Sequence, residues 1–312
     1  MTRALVFPGQ GSQSVGMGRE LAASFASARL VFEEVDAALG QKLSQVMFEG
    51  PESALTLTEN AQPALMAVSL AVLRVIEAEG FALSRSVAFV AGHSLGEYSA
   101  LAAAGAFTVA DAARLLKRRG QAMQLAVPVG AGAMAALLGL ELDAAREIAA
   151  AAAQGQVCSA ANDNAAGQVV VSGDKAAVDR AVALAAERGA RRSILLPVSA
   201  PFHCALMAPA AAVMREALAA VAIAPPAVPL IANVTAAPVS DPDAIRARLV
   251  EQVTGLVRWR ESVLAMKSLG VDSLVEIGAG KVLAGLTKRI DRELTAVSIQ
   301  GPADIDAFLK TL

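Results

Sequence analysis

The sequence predicts an α/β fold in two parts, a large part with a mainly parallel sheet and a smaller part inserted into it. Three observations carry this. Short apolar runs at 4–7, 87–91 and 272–277 alternate with segments of helical period such as 58–79. Between 131 and 196 the texture changes. Strand-like runs at 131–140, 156–161, 168–172 and 191–196 are interleaved with helical segments at 143–153 and 175–188, the βαββαβ order of a ferredoxin-like unit. Pro128 and Pro197 stand where the chain would enter and leave that unit. The expected division is a discontinuous large subdomain, 1–126 and 197–312, and a small ferredoxin-like subdomain, 127–196.

The first strand, 4–7, is continuously apolar, as a strand covered on both faces must be. A glycine-rich loop at 8–14 follows, and a single helix is expected over 20–39. After the long helix at 58–79, the buried strand at 87–91 runs into Gly92-His93-Ser94-Leu95-Gly96 and then a helix over 97–104. Asn162 and Asn164 suit a turn, expected at 162–167. The strand at 272–277 leads into Gly278-Ala279-Gly280-Lys281 and a further helix.

Composition narrows the function classes. The 312 residues carry 27 Lys and Arg against 29 Asp and Glu, a net charge of −2, without the basic footprint a nucleic-acid binder needs. Hydrophobic residues make up 55% of the chain but aromatic ones only 4%, so no interfacial Trp/Tyr belt is available. The longest uncharged stretches, 193–214 and 217–240, are broken by Pro197, Pro201, Pro209, Pro225, Pro226, Pro229 and Pro238, and neither reads as a spanning helix. Residues 1–7 run straight into Pro-Gly-Gln-Gly, too short an apolar stretch for a signal peptide. Cys158 and Cys204 provide neither a disulfide framework nor a metal quartet, and no metal is expected. These features predict a cytoplasmic protein with no nucleic-acid or membrane partner.

Gly92-His93-Ser94-Leu95-Gly96 fits the G-x-S-x-G turn that exposes a serine between a strand and a helix. Free N–H groups at the helix start could stabilise an oxyanion there. The alternative is that Ser94 only caps the helix. A nucleophilic serine needs a base. The chain has two histidines, and His93, adjoining Ser94 in so tight a turn, projects elsewhere. That leaves His203, unless it is merely structural. No acidic residue between Ser94 and His203 has a convincing motif context, so something other than a carboxylate could orient the imidazole.

Arg119 is a second clue. Over 111–124, Leu115, Leu116, Ala122 and Met123 share one helical face and Arg114, Lys117, Arg118, Gln121 and Gln124 the other, while Arg119 falls within the apolar face. A buried guanidinium needs an anion, either an internal carboxylate or the carboxylate of a substrate held bidentately. The glycines Gly9, Gly11, Gly16 and Gly18 do not form a dinucleotide fingerprint, because Ser14 and Leu21 occupy the third-glycine positions, and no Walker-type sequence follows. The loop reads better as backbone donors beside the serine.

With these residues in view, the sequence closely resembles the malonyl-CoA:acyl carrier protein transacylase family. The resemblance rests on Phe7-Pro8-Gly9-Gln10-Gly11-Ser12-Gln13, on Gly92-His93-Ser94-Leu95-Gly96-Glu97-Tyr98-Ser99, and on Arg119-Gly120-Gln121-Ala122-Met123-Gln124. Further matches are 130–134, 167–173, Pro201-Phe202-His203 and Gly280-Lys281-Val282-Leu283, with Ala279 where the family usually has proline. The resemblance implies a hydrolase-like large subdomain and an acyltransferase that moves malonyl from malonyl-CoA to the phosphopantetheine thiol of acyl carrier protein, with no permanently bound cofactor. It makes Ser94 the nucleophile, His203 its base, Arg119 the malonyl clamp, and the N–H groups of Gln10 and Leu95 the oxyanion hole. Gln252 would orient the histidine through its carbonyl. Phe202 resembles the bulky residue linked to malonyl over methylmalonyl selection, though it could equally be core. Arg191 and Arg192 could meet CoA or phosphopantetheine phosphates or the acidic carrier protein, or be a solvated strand end. The rival readings are a serine thioesterase or other hydrolase, and a non-catalytic module that docks carrier protein.

Overall fold

The computed structural model describes residues 2–312. Strand β1 (Arg3–Phe7) is followed by α1 (Arg19–Ser24), α2 (Ala26–Leu39), α3 (Leu43–Glu49), α4 (Glu52–Leu55), α5 (Thr58–Ala78) and α6 (Leu83–Ser86). Strand β2 (Val87–Gly92), α7 (Gly96–Ala103) and α8 (Val109–Ala126) complete the first half. The middle of the chain forms β3 (Gly132–Leu138), α9 (Leu142–Ala153), β4 (Cys158–Ala165), β5 (Gln168–Asp174), α10 (Lys175–Glu187) and β6 (Arg192–Leu195). It returns through α11 (Ala208–Ala219), β7 (Leu230–Ala232), β8 (Ala237–Val239) and α12 (Pro242–Gln252). The last elements are α13 (Trp259–Ser268), β9 (Ser273–Ile277), α14 (Val282–Ile290), β10 (Thr295–Ile299) and α15 (Pro302–Leu309).

Two sheets result. The larger has the order β10-β9-β1-β2-β7-β8, parallel throughout except for the antiparallel edge strand β8. The smaller has the order β4-β5-β3-β6 and is antiparallel, the strand arrangement of a ferredoxin-like unit. The α/β class and the βαββαβ order expected from the sequence are those observed.

β1 shows why its run is unbroken. Leu5 and Phe7 face the main core under α5 and α7, while Ala4 and Val6 face a second core with Trp259, Met266 and Leu283. Helix α5 lies in the middle of the main core. It is long and apolar enough by composition to cross a membrane, but 83% of its most apolar window is buried inside the protein. Helix α8 approaches it at Gly120, where an added Cβ would come within 2.5 Å of Glu59 Cα. A glycine inside a helix is costly, and here it is required by backbone contact. That contact brings Arg119, the preceding residue, against Gln62.

Two expectations are corrected. The helix expected over 20–39 is broken at Phe25, which is extended (φ −130°, ψ 123°) and separates α1 from α2. No glycine or proline marks the break. It re-aims α2 so that Val31, Phe32 and Val35 reach the core. The turn expected at 162–167 is strand as far as Ala165. The polar segment stays extended because Asp163 N–H donates to Val257 C=O, and Val257 N–H donates to Ala161 C=O, at 2.9 Å each. The strand bulges on either side of this contact.

Candidate active site

The register of β1 against β2 pairs Phe7 with Gly92, so the loops after both strands meet at the same edge of the sheet. His93 N–H donates to Phe7 C=O at 3.0 Å and ties them together. Ser94 then adopts a left-handed backbone, φ 53°. The flanking glycines have no alternative. A Cβ on Gly92 would lie 1.9 Å from the Gly96 carbonyl carbon, and one on Gly96 would lie 2.3 Å from Phe7 O. Asn233, just after β7, braces the turn from beneath. Its Oδ1 accepts the Ser94 N–H at 2.8 Å, and its Nδ2 donates to Gly92 C=O at 2.7 Å.

His203 faces this turn, 2.7 Å from Ser94 Oγ through Nε2. Its Nδ1 lies 2.8 Å from the carbonyl oxygen of Gln252, the last residue of α12. A carbonyl only accepts, so Nδ1 carries the proton and Nε2 presents its lone pair to the serine hydroxyl. Burial, with Arg119 nearby, pushes the imidazole down to about 3, so it stays neutral near neutral pH. His93 also borders the cavity but is held elsewhere, with Nε2 2.8 Å from Asn164 Oδ1 and its ring against Trp259.

Arg119 is 1% exposed and sits over the Tyr98 ring, 5.8 Å from its centroid. Its Nη1 donates to Gln62 Oε1 at 2.8 Å, and its Nη2 to Gln252 Oε1 at 2.8 Å and to Ser94 Oγ at 3.1 Å. All three partners are neutral. Among the described residues no carboxylate lies within ion-pair distance of this guanidinium, and its Nε–H has no acceptor. The internal salt bridge considered from the sequence is absent. A buried cation held only by neutral oxygens retains a strong demand for an anion.

The nearest acid is Glu97, one turn beyond Ser94 and 1% exposed. Burial pushes its carboxyl up to about 8, against the pull of the Asn233 N–H, the Gln252 amide and Arg119. Gln252 ties the groups together: its Nε2 donates to Ser94 C=O at 2.8 Å and to Glu97 Oε2 at 2.5 Å. On the other side Gln62 Nε2 donates to Thr58 Oγ1, which donates to Gln10 Oε1 at 2.7 Å.

These groups open into a cavity of about 570 Å³, lined among others by Gln10, Ser94, Leu95, Arg119, Phe202 and His203. Among the described residues the backbone N–H groups of Gln10 and Leu95 have no protein acceptor. Leu95 directly precedes α7, where such donors are left free. The cavity therefore combines a serine hydroxyl, a neutral base, two unused N–H donors and an unpaired cation, the parts an acyl transfer on a substrate with a negative tail requires.

The structure thus gathers Ser94, His203, Gln252, Arg119, Gln10 and Leu95 in one place. It does not bring Arg191 or Arg192 there. Both are exposed at the upstream end of β6, about 13 to 16 Å of extended chain before Leu196 at the cavity wall. Cys204 is buried and its Sγ contacts Pro201 C=O, and burial raises the thiol. Sequence reasoning missed Gln62, Glu97 and Asn233 as parts of the site. Asn162 and Asn164, which suited a turn by sequence, are found in the strand instead: Asn162 lines the cavity and Asn164 holds His93. The unusual polarity of an otherwise strand-like run was the available clue.

Comparison with known proteins agrees with this geometry. The acyl transferase domain family model matches residues 4–298. The malonyl CoA-acyl carrier protein transacylase of Escherichia coli K12 is 47% identical, covering 98% of each chain, and that of Bacillus subtilis 168 is 44% identical, covering 99% of this chain and 96% of its own. The crystal structure of the acyl-carrier-protein S-malonyltransferase of Bartonella henselae superposes with a TM-score of 0.98 at 55% identity, covering 100% of this chain and 99% of that one. A malonyl-transacylase solved in complex with its type II PKS acyl-carrier protein superposes with a TM-score of 0.97 at 42% identity, with both chains covered fully. By its sequence, its fold and these full-length matches, the chain belongs to the malonyl CoA-acyl carrier protein transacylase family.

Proposed function

We propose that the protein is a malonyl-CoA:acyl carrier protein S-malonyltransferase working through a malonyl-serine ester, in fatty acid or polyketide synthesis. The observation that carries the reading is the unpaired buried guanidinium of Arg119, 3.1 Å from Ser94 Oγ. A hydrolase has no need of that cation, and a docking module needs neither the base nor the nucleophile.

Ser94 Oγ attacks the thioester carbonyl of malonyl-CoA as His203 Nε2 takes its proton. The oxygen of the tetrahedral intermediate settles against the N–H groups of Gln10 and Leu95, each worth roughly 3 kcal/mol in such a site. The intermediate collapses, the C–S bond breaks, and His203 returns the proton to the departing CoA thiolate. In the second half the phosphopantetheine thiol of the carrier protein gives its proton to His203 and attacks the ester. Ser94 leaves as alkoxide and recovers the proton. Arg119 holds the malonyl carboxylate in both halves, which fixes the carbonyl near its attack geometry. The Gln252 carbonyl keeps the proton on Nδ1, the task a carboxylate performs in many triads.

The phosphopantetheine arm enters between a large subdomain, 1–126 with 197–312, and a small one, 127–196. Arg191 and Arg192, both exposed, meet phosphate outside the cavity in this reading, on the CoA or on the arm. No permanently bound cofactor or metal enters the scheme. We place the reaction in the cytoplasm, where Cys158 and Cys204 remain free thiols.

Mass spectrometry after mixing with malonyl-CoA tests the reading. The wild type should gain one malonyl group and lose it on addition of holo carrier protein, and Ser94→Ala should gain none. An unmodified wild type, or an adduct on Ser94→Ala, sinks the proposal.

A further inference from the structure

The Gln252 side chain touches Arg119 through its oxygen, and that orientation is not set by Gln252 itself. An amide can turn over and exchange its oxygen for its NH2 at almost no cost in shape. The acceptors around it hold it as observed. Nε2 donates to Ser94 C=O, to Glu97 Oε2 and, at 3.4 Å, to Asn233 Oδ1, and a carbonyl oxygen in its place would face these oxygens without a donor. The other Glu97 oxygen accepts the Asn233 N–H, and no acceptor bonds the carboxyl that could draw a proton out of it. The buried acid thus presents an acceptor to both neighbours.

We propose that Glu97 is a positioning residue for malonyl selection: by accepting from Gln252 Nε2, it keeps the amide oxygen of Gln252 turned towards Arg119 and so aims the guanidinium at the substrate carboxylate. This rests on the reading of Arg119 as the malonyl clamp. Were the amide reversed, its NH2 would face the guanidinium, donor against donor, and Arg119 Nη2 would lose its oxygen partner beside Ser94. Asn233 ties the same acid to the serine turn, so clamp and nucleophile share one anchor.

The chemistry makes an unusual demand on variants. Glu97→Gln keeps the shape but has only one acceptor oxygen for two N–H donors. Either its NH2 meets the Asn233 N–H, or it meets Gln252 Nε2 and turns that amide over. Glu97→Ala removes the acid without adding a donor. The Gln252 amide then keeps a weaker hold through Ser94 C=O and Asn233 Oδ1, with no new donor to reverse it, and water can take the vacated space. The isosteric variant is therefore the more damaging to selection, the reverse of what packing alone dictates.

The experiment is single-turnover acylation of Ser94 by malonyl-CoA and by acetyl-CoA, read by intact-protein mass spectrometry, for wild type, Glu97→Gln and Glu97→Ala, with thermal unfolding alongside. The malonyl-to-acetyl rate ratio should fall about 10- to 100-fold in Glu97→Gln, the effect of one charge-assisted hydrogen bond, and clearly less in Glu97→Ala. Failure of Glu97→Gln to fold while Glu97→Ala folds supports the same inference. An unchanged ratio in Glu97→Gln, a larger fall in Glu97→Ala, or failure of both variants to fold overturns it. A wild type that is not malonylated sinks the function itself, independently of Glu97.

Discussion

Arg119 Nη2 stands 3.1 Å from Ser94 Oγ, so a buried cation and the hydroxyl expected to react share a hydrogen bond in the unliganded protein. The contact measures how far into the cavity the negative end of a substrate must reach. With Arg119 as the proposed clamp and Ser94 as the proposed nucleophile, it also sets the acyl chain length, because carboxylate and carbonyl must meet neighbouring groups at once. Malonyl, with one methylene between them, is short enough to satisfy both.

Arg119→Ala should remove that preference. The malonyl kcat/KM is expected to fall about 100-fold or more, as for truncation of a buried charge partner. Acetyl transfer should be unchanged or faster, because no unpaired cation then lies beside the acyl group. Competition between malonyl-CoA and acetyl-CoA measures the ratio, and unchanged selectivity would refute the clamp.

His203 has its ordinary pH response displaced. With the imidazole held down to about 3, Ser94 malonylation should be flat from pH 7 to pH 5, with no inflection near 6.5. Stability behaves differently. The unfolded chain takes up the histidine proton near 6.5 while the folded one resists, so this contribution is whole above that pH and is lost as pH falls towards 3. Glu97, raised to about 8, acts in the opposite sense and loses stability as pH rises from 4.5 to 8. Comparing wild type with His203→Gln by denaturant unfolding at pH 7 and pH 4.5 isolates the histidine. The wild type should lose on the order of 2 kcal/mol more than the variant between those pH values.

Gly92→Ala tests the serine turn. The new Cβ would stand 1.9 Å from the Gly96 carbonyl carbon, a backbone atom that cannot move aside without unwinding the start of α7. The expected cost is at least about 3 kcal/mol in urea unfolding, with loss of acylation. Gly105→Ala is the control for glycine replacement, since no atom lies within 4 Å of its Cβ position and only its positive φ is strained.

Phe202 lines the cavity beside His203 and is 8% exposed, packed also against the main core. Phe202→Ala should open room beside the acyl group for a branch. The methylmalonyl-to-malonyl ratio in the transfer assay is expected to rise about tenfold, the usual worth of one methyl group in a tight pocket. An unchanged ratio would leave Phe202 a core residue only.

The sequence by itself determined the features whose pattern is local. A strand, a turn with glycines two residues either side of a serine, and a helix are contiguous, so the Ser94 turn is legible at 92–96. One charge on an apolar helical face is equally local, because helical period alone places Arg119 among Leu115, Leu116 and Met123. Likewise β1 is apolar on both faces since both are covered. Glu97 and Asn233 are different: their contact spans 136 residues of chain, and a lone buried polar residue has no period to betray it. Whether the oxygen or the nitrogen of the Gln252 amide faces Arg119, and which nitrogen of His203 faces Ser94, are settled by acceptors brought from other elements. The same holds for the extended run through Asn162 and Asn164, which stays a strand because Val257, far along the chain, pairs with its backbone. Local geometry placed the Ser94 hydroxyl and the Arg119 cation, and the packing of distant elements decided their hydrogen-bond partners, because buried donors and acceptors must be matched wherever the fold sets them.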